Sequence, residues 1–120
     1  MSSSYLPHDH GQDIEKVVAF LPEVEEFQRL SDLFRQLSDG NRLRIFWLLC
    51  HCEECVINIS AMVDMSSPAV SHHLKLLRAG GLIVSRREGK EVYYKAADTE
   101  TAQLLHHMIE QVVHLTCPKG

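Results

Sequence analysis

No stretch of this 120-residue chain is apolar for long enough to span a bilayer, which takes about 20 consecutive residues. Its first eleven residues, MSSSYLPHDHG, lack the basic and apolar regions of a secretory signal. Both absences point to the cytoplasm and away from any membrane, with the four cysteines expected as reduced thiols available as ligands. There is no glycine-rich phosphate loop, no HExxH and no base paired with a candidate nucleophile, so the chain does not read as an enzyme. Internal repeats and low-complexity segments are also missing. The length suits one modest core, and a 45% hydrophobic composition argues for a folded globule rather than disorder.

The net charge of −4 is unfavourable for binding a polyanion, but it is unevenly placed. Met1 to Gly40 carries eight acids and three bases. Ser66 to Lys95 carries six bases, Lys75, Arg78, Arg86, Arg87, Lys90 and Lys95, against Glu88 and Glu91. A local basic footprint on an acidic body is compatible with salt-sensitive phosphate binding.

Hydrophobic periodicity divides the chain into an N-terminal arm (1–12), a domain (13–116) and a short tail (117–120). Asp13 is a candidate cap for a short helix, IEKVVAFL, that Pro22 stops. A longer amphipathic helix follows, with Val24, Phe27, Leu30, Leu33 and Phe34 as its stripe, and Ser38-Asp39-Gly40 breaks it. The third helix, from Asn41, is apolar on several sides at Leu43, Ile45, Phe46, Leu48 and Leu49, as a central buried helix would be. A short helix over Asn58 to Val63 is joined by Asp64-Met65-Ser66 to the next one.

That next segment, SSPAVSHHLKLLRAGGLIVSRR from Ser66 to Arg87, carries the most information. Ser67 is the expected cap and Pro68 the first helical residue. Val70, Leu74 and Leu77 share one apolar face, while Ser71, His72, Lys75 and Arg78 share the other. Gly80 and Gly81 end the helix. A short helix with a small, polar and basic outer face fits the DNA major groove, although an ordinary surface helix has the same composition. Leu82–Arg87 and Glu91–Lys95 read as strands joined at Glu88-Gly89-Lys90, a hairpin that makes a wing after the helix-turn-helix. The last helix, Asp98 to Leu115 with Asp98 as its cap, has a wide apolar face (Leu104, Leu105, Met108, Ile109, Val112, Val113) suited to a second subunit. The expected fold is therefore mainly α with a β-hairpin wing, in the order α-α-α-α-α-β-β-α, dimerising through its terminal helices.

Three motifs in this order carry a family resemblance: L-x-D-x-x-R-x-x-I from Leu37 to Ile45, V-S-x-H-L-x-x-L from Val70 to Leu77, and R-R-E-G-K-x-x-Y-Y from Arg86 to Tyr94. Over about residues 24–115 the chain resembles the ArsR/SmtB family of winged-helix repressors. The resemblance implies a homodimer that binds double-stranded operator DNA with an inverted repeat, represses transcription, and lets go when an inducer binds. On that basis the DNA-contacting candidates are Ser66, Ser67, Pro68, Ser71, His72, Lys75 and Arg78 on the helix and Arg86, Arg87 and Lys90 on the wing. His73 either joins them or packs internally.

The inducer is expected to be a metal ion. Cys50-His51-Cys52-Glu53-Glu54-Cys55 holds three thiols and an imidazole within six residues, a soft set suited to Zn²⁺, Cd²⁺, Pb²⁺, Cu⁺ or arsenite. Cys50 fits a core position, whereas Cys52 and Cys55 lie at a helix end with C-x-x-C spacing. Thiolate-type members of the family carry C-V-C-D here and recruit ligands from the arm. This chain has Cys55-Val56-Ile57-Asn58, with Cys52 as a substitute thiol and His8 and His10 in the arm. The first expected ligand set is therefore Cys52, Cys55, His8 and His10, favouring Zn²⁺ or Cd²⁺. Other members bind metal on the last helix. There Asp98 and His114 match, Glu100 stands in place of histidine and Gln111 stands at the third position. Asp98, His107, Glu110 and His114 form the second expected set, suited to Zn²⁺, Co²⁺ or Ni²⁺. His106 reads as surface or interface. The alternatives are a thiol-redox or reactive-sulfur repressor using Cys52, Cys55 or Cys117 and, more distantly, an adaptor or a small cysteine enzyme.

Overall fold

A computed structural model describes residues 6–116, with the side chains of residues 6–114 placed. The tail, Cys117 and the first five residues of the arm lie outside the described residues. The chain forms two compact units, one ending at Asp32 and the other beginning at Leu33. The first contains α1 (Ile14–Ala19) and most of α2 (Val24–Gln36). Neither helix has a buried residue, and the expected stripe of α2 is exposed at Val24, Phe27, Leu30 and Phe34. Asp13 does not cap α1 through its side chain, and its carboxylate instead pairs with Lys16 at 3.4 Å.

The second unit runs α3 (Gly40–Leu49), β1 (Glu54–Cys55), α4 (Val56–Val63), α5 (Ser67–Ala79), β2 (Ile83–Glu88), β3 (Glu91–Ala96) and α6 (Glu100–Thr116). No helix among the described residues is long and apolar enough to cross a membrane. Asp39 opens α3 by accepting a hydrogen bond from the Arg42 N–H at 3.0 Å, which satisfies an orphan donor of the first turn. Ile45, Phe46 and Leu49 of α3 share one core with Ile59 and Val63 of α4, Val70, Leu74 and Leu77 of α5, Leu82 and Ile83 at the start of the wing, and Ala102, Leu105 and Ile109 of α6.

The helix-turn-helix is pinned at both ends of its turn. Asp64 adopts the left-handed conformation (φ 55°, ψ 54°), and the Met65 N–H donates to the Ser60 carbonyl. Ser66, not Ser67, caps α5: its hydroxyl accepts from the Ala69 N–H at 3.3 Å. Ser67 lies one residue inside, with its hydroxyl 3.2 Å from that of Ser60 on α4. The left-handed region costs a residue with a Cβ about 1–2 kcal/mol, aspartate being among the more tolerant and β-branched residues the least. Asp64→Val is therefore expected to destabilise the protein by about 1–2 kcal/mol, and Asp64→Gly to be neutral or slightly stabilising. Urea denaturation of the two variants checks this ordering.

At the other end of α5 Gly81 takes the left-handed position (φ 76°), not Gly80. The Leu82 N–H donates to the Leu77 carbonyl and the Gly81 N–H to the Arg78 carbonyl, the paired bonds of a Schellman motif. Leu77 and Leu82 are both buried, so the cap also directs the chain into the wing.

The wing has three strands rather than two. β2 and β3 pair antiparallel from Ile83↔Ala96 to Glu88↔Glu91 around Gly89 (φ 63°) and Lys90, and β1 adds to the other edge of β3 through Glu54↔Tyr94 and Cys55↔Tyr93. Two residues are too short for an alternating pattern, which is why β1 leaves no mark in the sequence. α6 begins two residues after Asp98 because Thr99 is the cap, its hydroxyl accepting from the Ala102 N–H at 3.1 Å. The Asp98 carboxylate is taken by the Gln103 side chain.

Candidate functional site

The buried face of α5 fixes what its other face presents. With Val70, His73, Leu74 and Leu77 in the core, Ser67, Pro68, Ser71, His72, Lys75 and Arg78 are all exposed along one side. Lys75 and Arg78 have no carboxylate partner among the described residues. A row of small, polar and cationic side chains on a rigid helix, preceded by a capped N-terminus, has the donors and charge that base edges and phosphates accept.

His73 belongs to the structure beneath that surface. It is 8% exposed, and its Nδ1 accepts from the Arg42 Nε at 3.3 Å. Its Nε2 lies 3.9 Å from the carboxylate of Asp39, the α3 cap. Arg42 also donates to the Gln36 carbonyl at 3.1 Å, so one guanidinium ties the end of α2, α3 and α5 together. Burial pushes the His73 imidazole below its ordinary 6.5, against the pull of Asp39 and with the help of Arg42 and His72. The folded state thus disfavours a proton that the unfolded chain accepts near pH 6.5. Stability from this group is present above that pH and lost as pH falls through it. Urea midpoints measured from pH 8 to pH 5.5 are expected to decline on the acid side, and less steeply in His73→Gln.

On the wing the three basic candidates separate. Arg86 donates from Nε and Nη2 to the two carboxylate oxygens of Glu53 at 3.0 and 2.9 Å, pairs with Glu88, and lies over the Tyr93 ring. This fork holds β2 to the loop before β1 and pulls the Glu53 carboxyl below its ordinary value. Arg86, expected among the phosphate contacts, is exposed as well as tied into the wing by these pairs. Arg87 and Lys90 are exposed and have no carboxylate partner among the described residues.

The expected thiol set is not gathered in the second unit. Cys50, Cys52 and Cys55 are free thiols, each partly buried. Burial and the nearby Glu110 carboxylate push Cys50 up to about 11. Cys52, raised by burial and Glu54, donates its S–H to the Leu48 carbonyl at 3.4 Å. Cys55 precedes α4 within β1. His8 and His10 lie in the first unit, exposed and stacked 5.9 Å apart. Of the residues in the redox alternative, Cys52 is therefore held further toward the thiol, and Cys117 lies outside the described residues.

The second expected set is regrouped. Among the described residues one group of three potential ligands converges: His51, His106 and Glu110. His106 Nε2 is 3.0 Å from His51 Nε2 and 2.9 Å from Glu110 Oε1, and His51 Nε2 is 3.6 Å from that same oxygen. Of the expected residues only Glu110 takes part. At about 100° per residue, the buried stripe of Ala102, Leu105 and Ile109 turns His106 and Glu110 to one flank, towards the end of α3. The same geometry leaves His107 and His114 on the side away from the core, both exposed, while Asp98 stays with Gln103. The His106/Glu110 spacing of four was visible in sequence, but its partner His51 is 55 residues away. His51 is set by its own α3 neighbour, with its ring 4.3 Å from that of Trp47. A cleft of about 310 Å³ opens beside the cluster, walled by Cys50, His51, Cys52, Glu53, Gln103 and His106 among others.

Comparison with known proteins places these features in company. Residues 39–85, from the α3 cap into β2, match the family described as "Bacterial regulatory protein, arsR family". The chain is 31% identical over 106 residues to the transcriptional repressor SmtB homolog of Synechocystis, covering 88% of this chain and 80% of that one. It is 44% identical over 66 residues to the cadmium resistance transcriptional regulatory protein CadC of Listeria innocua, covering 54% of this chain and 56% of that one. Among solved structures, the homodimeric winged helix-turn-helix DNA-binding domain of a possible regulator from Mycobacterium bovis superposes with a TM-score of 0.66 at 29% identity. That match covers 92% of this chain and 94% of the other.

Proposed function

The chain belongs to the arsR family of bacterial regulatory proteins, and from that premise we propose that it is a metal-responsive transcriptional repressor that binds an inverted-repeat operator as a homodimer and releases it when a Zn²⁺- or Cd²⁺-class ion binds. The observation that carries the DNA half is the division of α5 into a core-locked face and an exposed polar and cationic one, followed by a wing with Arg87 and Lys90 exposed. In this reading Ser71, His72 and Lys75 face base edges or the nearest phosphates. Ser66, Ser67 and Pro68 bring the helix N-terminus to the backbone, and Arg78, Arg87 and Lys90 neutralise phosphates. Arg86 shapes the wing.

Dimerisation is supported by α6, which exposes Leu104, Met108, Val112 and Val113, and by the homodimeric M. bovis domain. Two α5 helices about a two-fold axis enter successive major grooves of a palindrome. Selection of bound duplexes from a random pool is expected to return an inverted repeat, with half-site centres about one helical turn, or a multiple of it, apart. A single unrepeated half-site, bound by a monomer in sedimentation, would sink the dimeric reading.

The metal half is supported by the relatives, a SmtB homolog and a cadmium-resistance regulator. It is also supported by the ligand-type side chains at the end of α3 and on α6. The ion acts only through differential affinity: it must bind the DNA-free conformation better. A typical coupling of about 1–3 kcal/mol corresponds to roughly a 5- to 150-fold loss of operator affinity.

A further inference from the structure

We propose that His51, His106 and Glu110 form the inducer site, a mononuclear site for Zn²⁺, Co²⁺ or Ni²⁺ that ties the end of α3 to α6 within one chain. The regulatory half of this inference rests on the reading of the protein as a metal-responsive repressor; the metal site itself does not.

Ligand atoms about 2.0–2.1 Å from a tetrahedral ion lie about 3.3 Å from one another. The three atoms here are 2.9, 3.0 and 3.6 Å apart, which is one face of such a tetrahedron before any ion draws it regular. Two imidazole nitrogens and a carboxylate oxygen converge on one point, and a single N–H on His106 can serve only one of its two neighbours. A cation placed between them accepts a lone pair from all three.

Two imidazoles and a carboxylate are borderline-to-hard donors, which suit Zn²⁺, Co²⁺ and Ni²⁺ and not Cu⁺ or arsenite. The nearby Cys50 stands outside the group of three. The fourth coordination position is left to water from the cleft.

The site also sits where an ion could be felt. Around α6 it occupies one flank of the buried stripe, with Val113 beside it, while Leu104, Met108 and Val112 stand exposed on the opposite flank, so an ion leaves most of the exposed apolar face free for a partner subunit. Two residues beyond His51 is Glu53, which clamps Arg86 of the wing. Closing His51 onto α6 therefore pulls on a segment joined both to the dimerising helix and to the DNA-facing wing.

The test is titration of the metal-free full chain with Co²⁺ and then Zn²⁺, followed by the Co²⁺ visible bands and by the imidazole nitrogen resonances of His51 and His106. One ion per chain is expected, with strong visible absorption, no thiolate charge-transfer band, and shifts at both histidines. His51→Gln, His106→Gln and Glu110→Gln are each expected to weaken binding by more than the roughly 10- to 100-fold that a merely supporting residue costs. A Cys52→Ser/Cys55→Ser variant is expected to bind as the parent does. Unmoved histidine resonances in the parent chain, or full binding in His106→Gln and Glu110→Gln, overturn the site. If those variants also still release DNA with metal, the repressor reading survives and only the site falls. If the ion binds at the three residues but leaves DNA affinity unchanged, the site stands and the sensing reading falls.

Discussion

Replacing Lys75 and Arg87 together by alanine is expected to weaken operator binding on the order of 1,000-fold at fixed salt and to leave the fold intact. Both side chains are exposed, one on the outer face of α5 and one on the wing, and neither has a carboxylate partner among the described residues. In a homodimer each substitution is made twice, so four charge-assisted contacts are lost, each contributing about 1 kcal/mol or more. The dependence on salt carries the sharper signature. Each phosphate contact contributes about 0.9 to the slope of log affinity against log salt, so the slope is expected to shrink by roughly 3 to 4. Anisotropy titrations at several salt concentrations measure both quantities. An unchanged slope would mean that the basic segment does not touch DNA.

Phe46→Ala is expected to destabilise the protein by about 3–5 kcal/mol, against a total of about 5–15 kcal/mol for a typical domain. Phe46 is fully buried on α3, in the core it shares with α4, α5, α6 and the start of the wing. The cavity would open in the core that also holds Val70, Leu74 and Leu77 of α5. Operator binding should fall with stability although no DNA-facing side chain has changed. Phe46→Leu, which keeps most of the volume, should cost less than about 1.5 kcal/mol and retain binding. Urea unfolding beside DNA titration separates the two variants.

These two predictions rest on elements that were plain in the sequence. α5 is legible because its apolar spacing, serine–proline start and double glycine agree with one another. The β2–β3 hairpin is legible because a glycine turn separates two basic or β-rich runs. What the sequence left open depends on contacts between distant residues. Ser67, the expected cap of α5, meets the hydroxyl of Ser60 on α4, and Ser66 caps the helix instead. His73 could have faced DNA, and Arg42, 31 residues earlier, holds it inside. Arg86 resembled its neighbour Arg87 until Glu53 claimed it.

The candidate metal centre was the least legible part for the same reason. His107, Glu110 and His114 share a face on a helical wheel. Which face of α6 meets α3 is decided by the burial of Leu105 and Ile109, and that decision selects His106. His51, counted among the soft ligands of the cysteine segment, meets α6 because it follows the buried Leu49 at the end of α3.

The central claim, that metal binding releases this protein from DNA, is tested most directly by anisotropy of the selected inverted-repeat duplex with metal-free protein and again with one equivalent of Zn²⁺ per chain. The account predicts tight binding without metal and a loss of roughly 5- to 150-fold with it, reversed by a chelator. Equal affinity in the two conditions would contradict it.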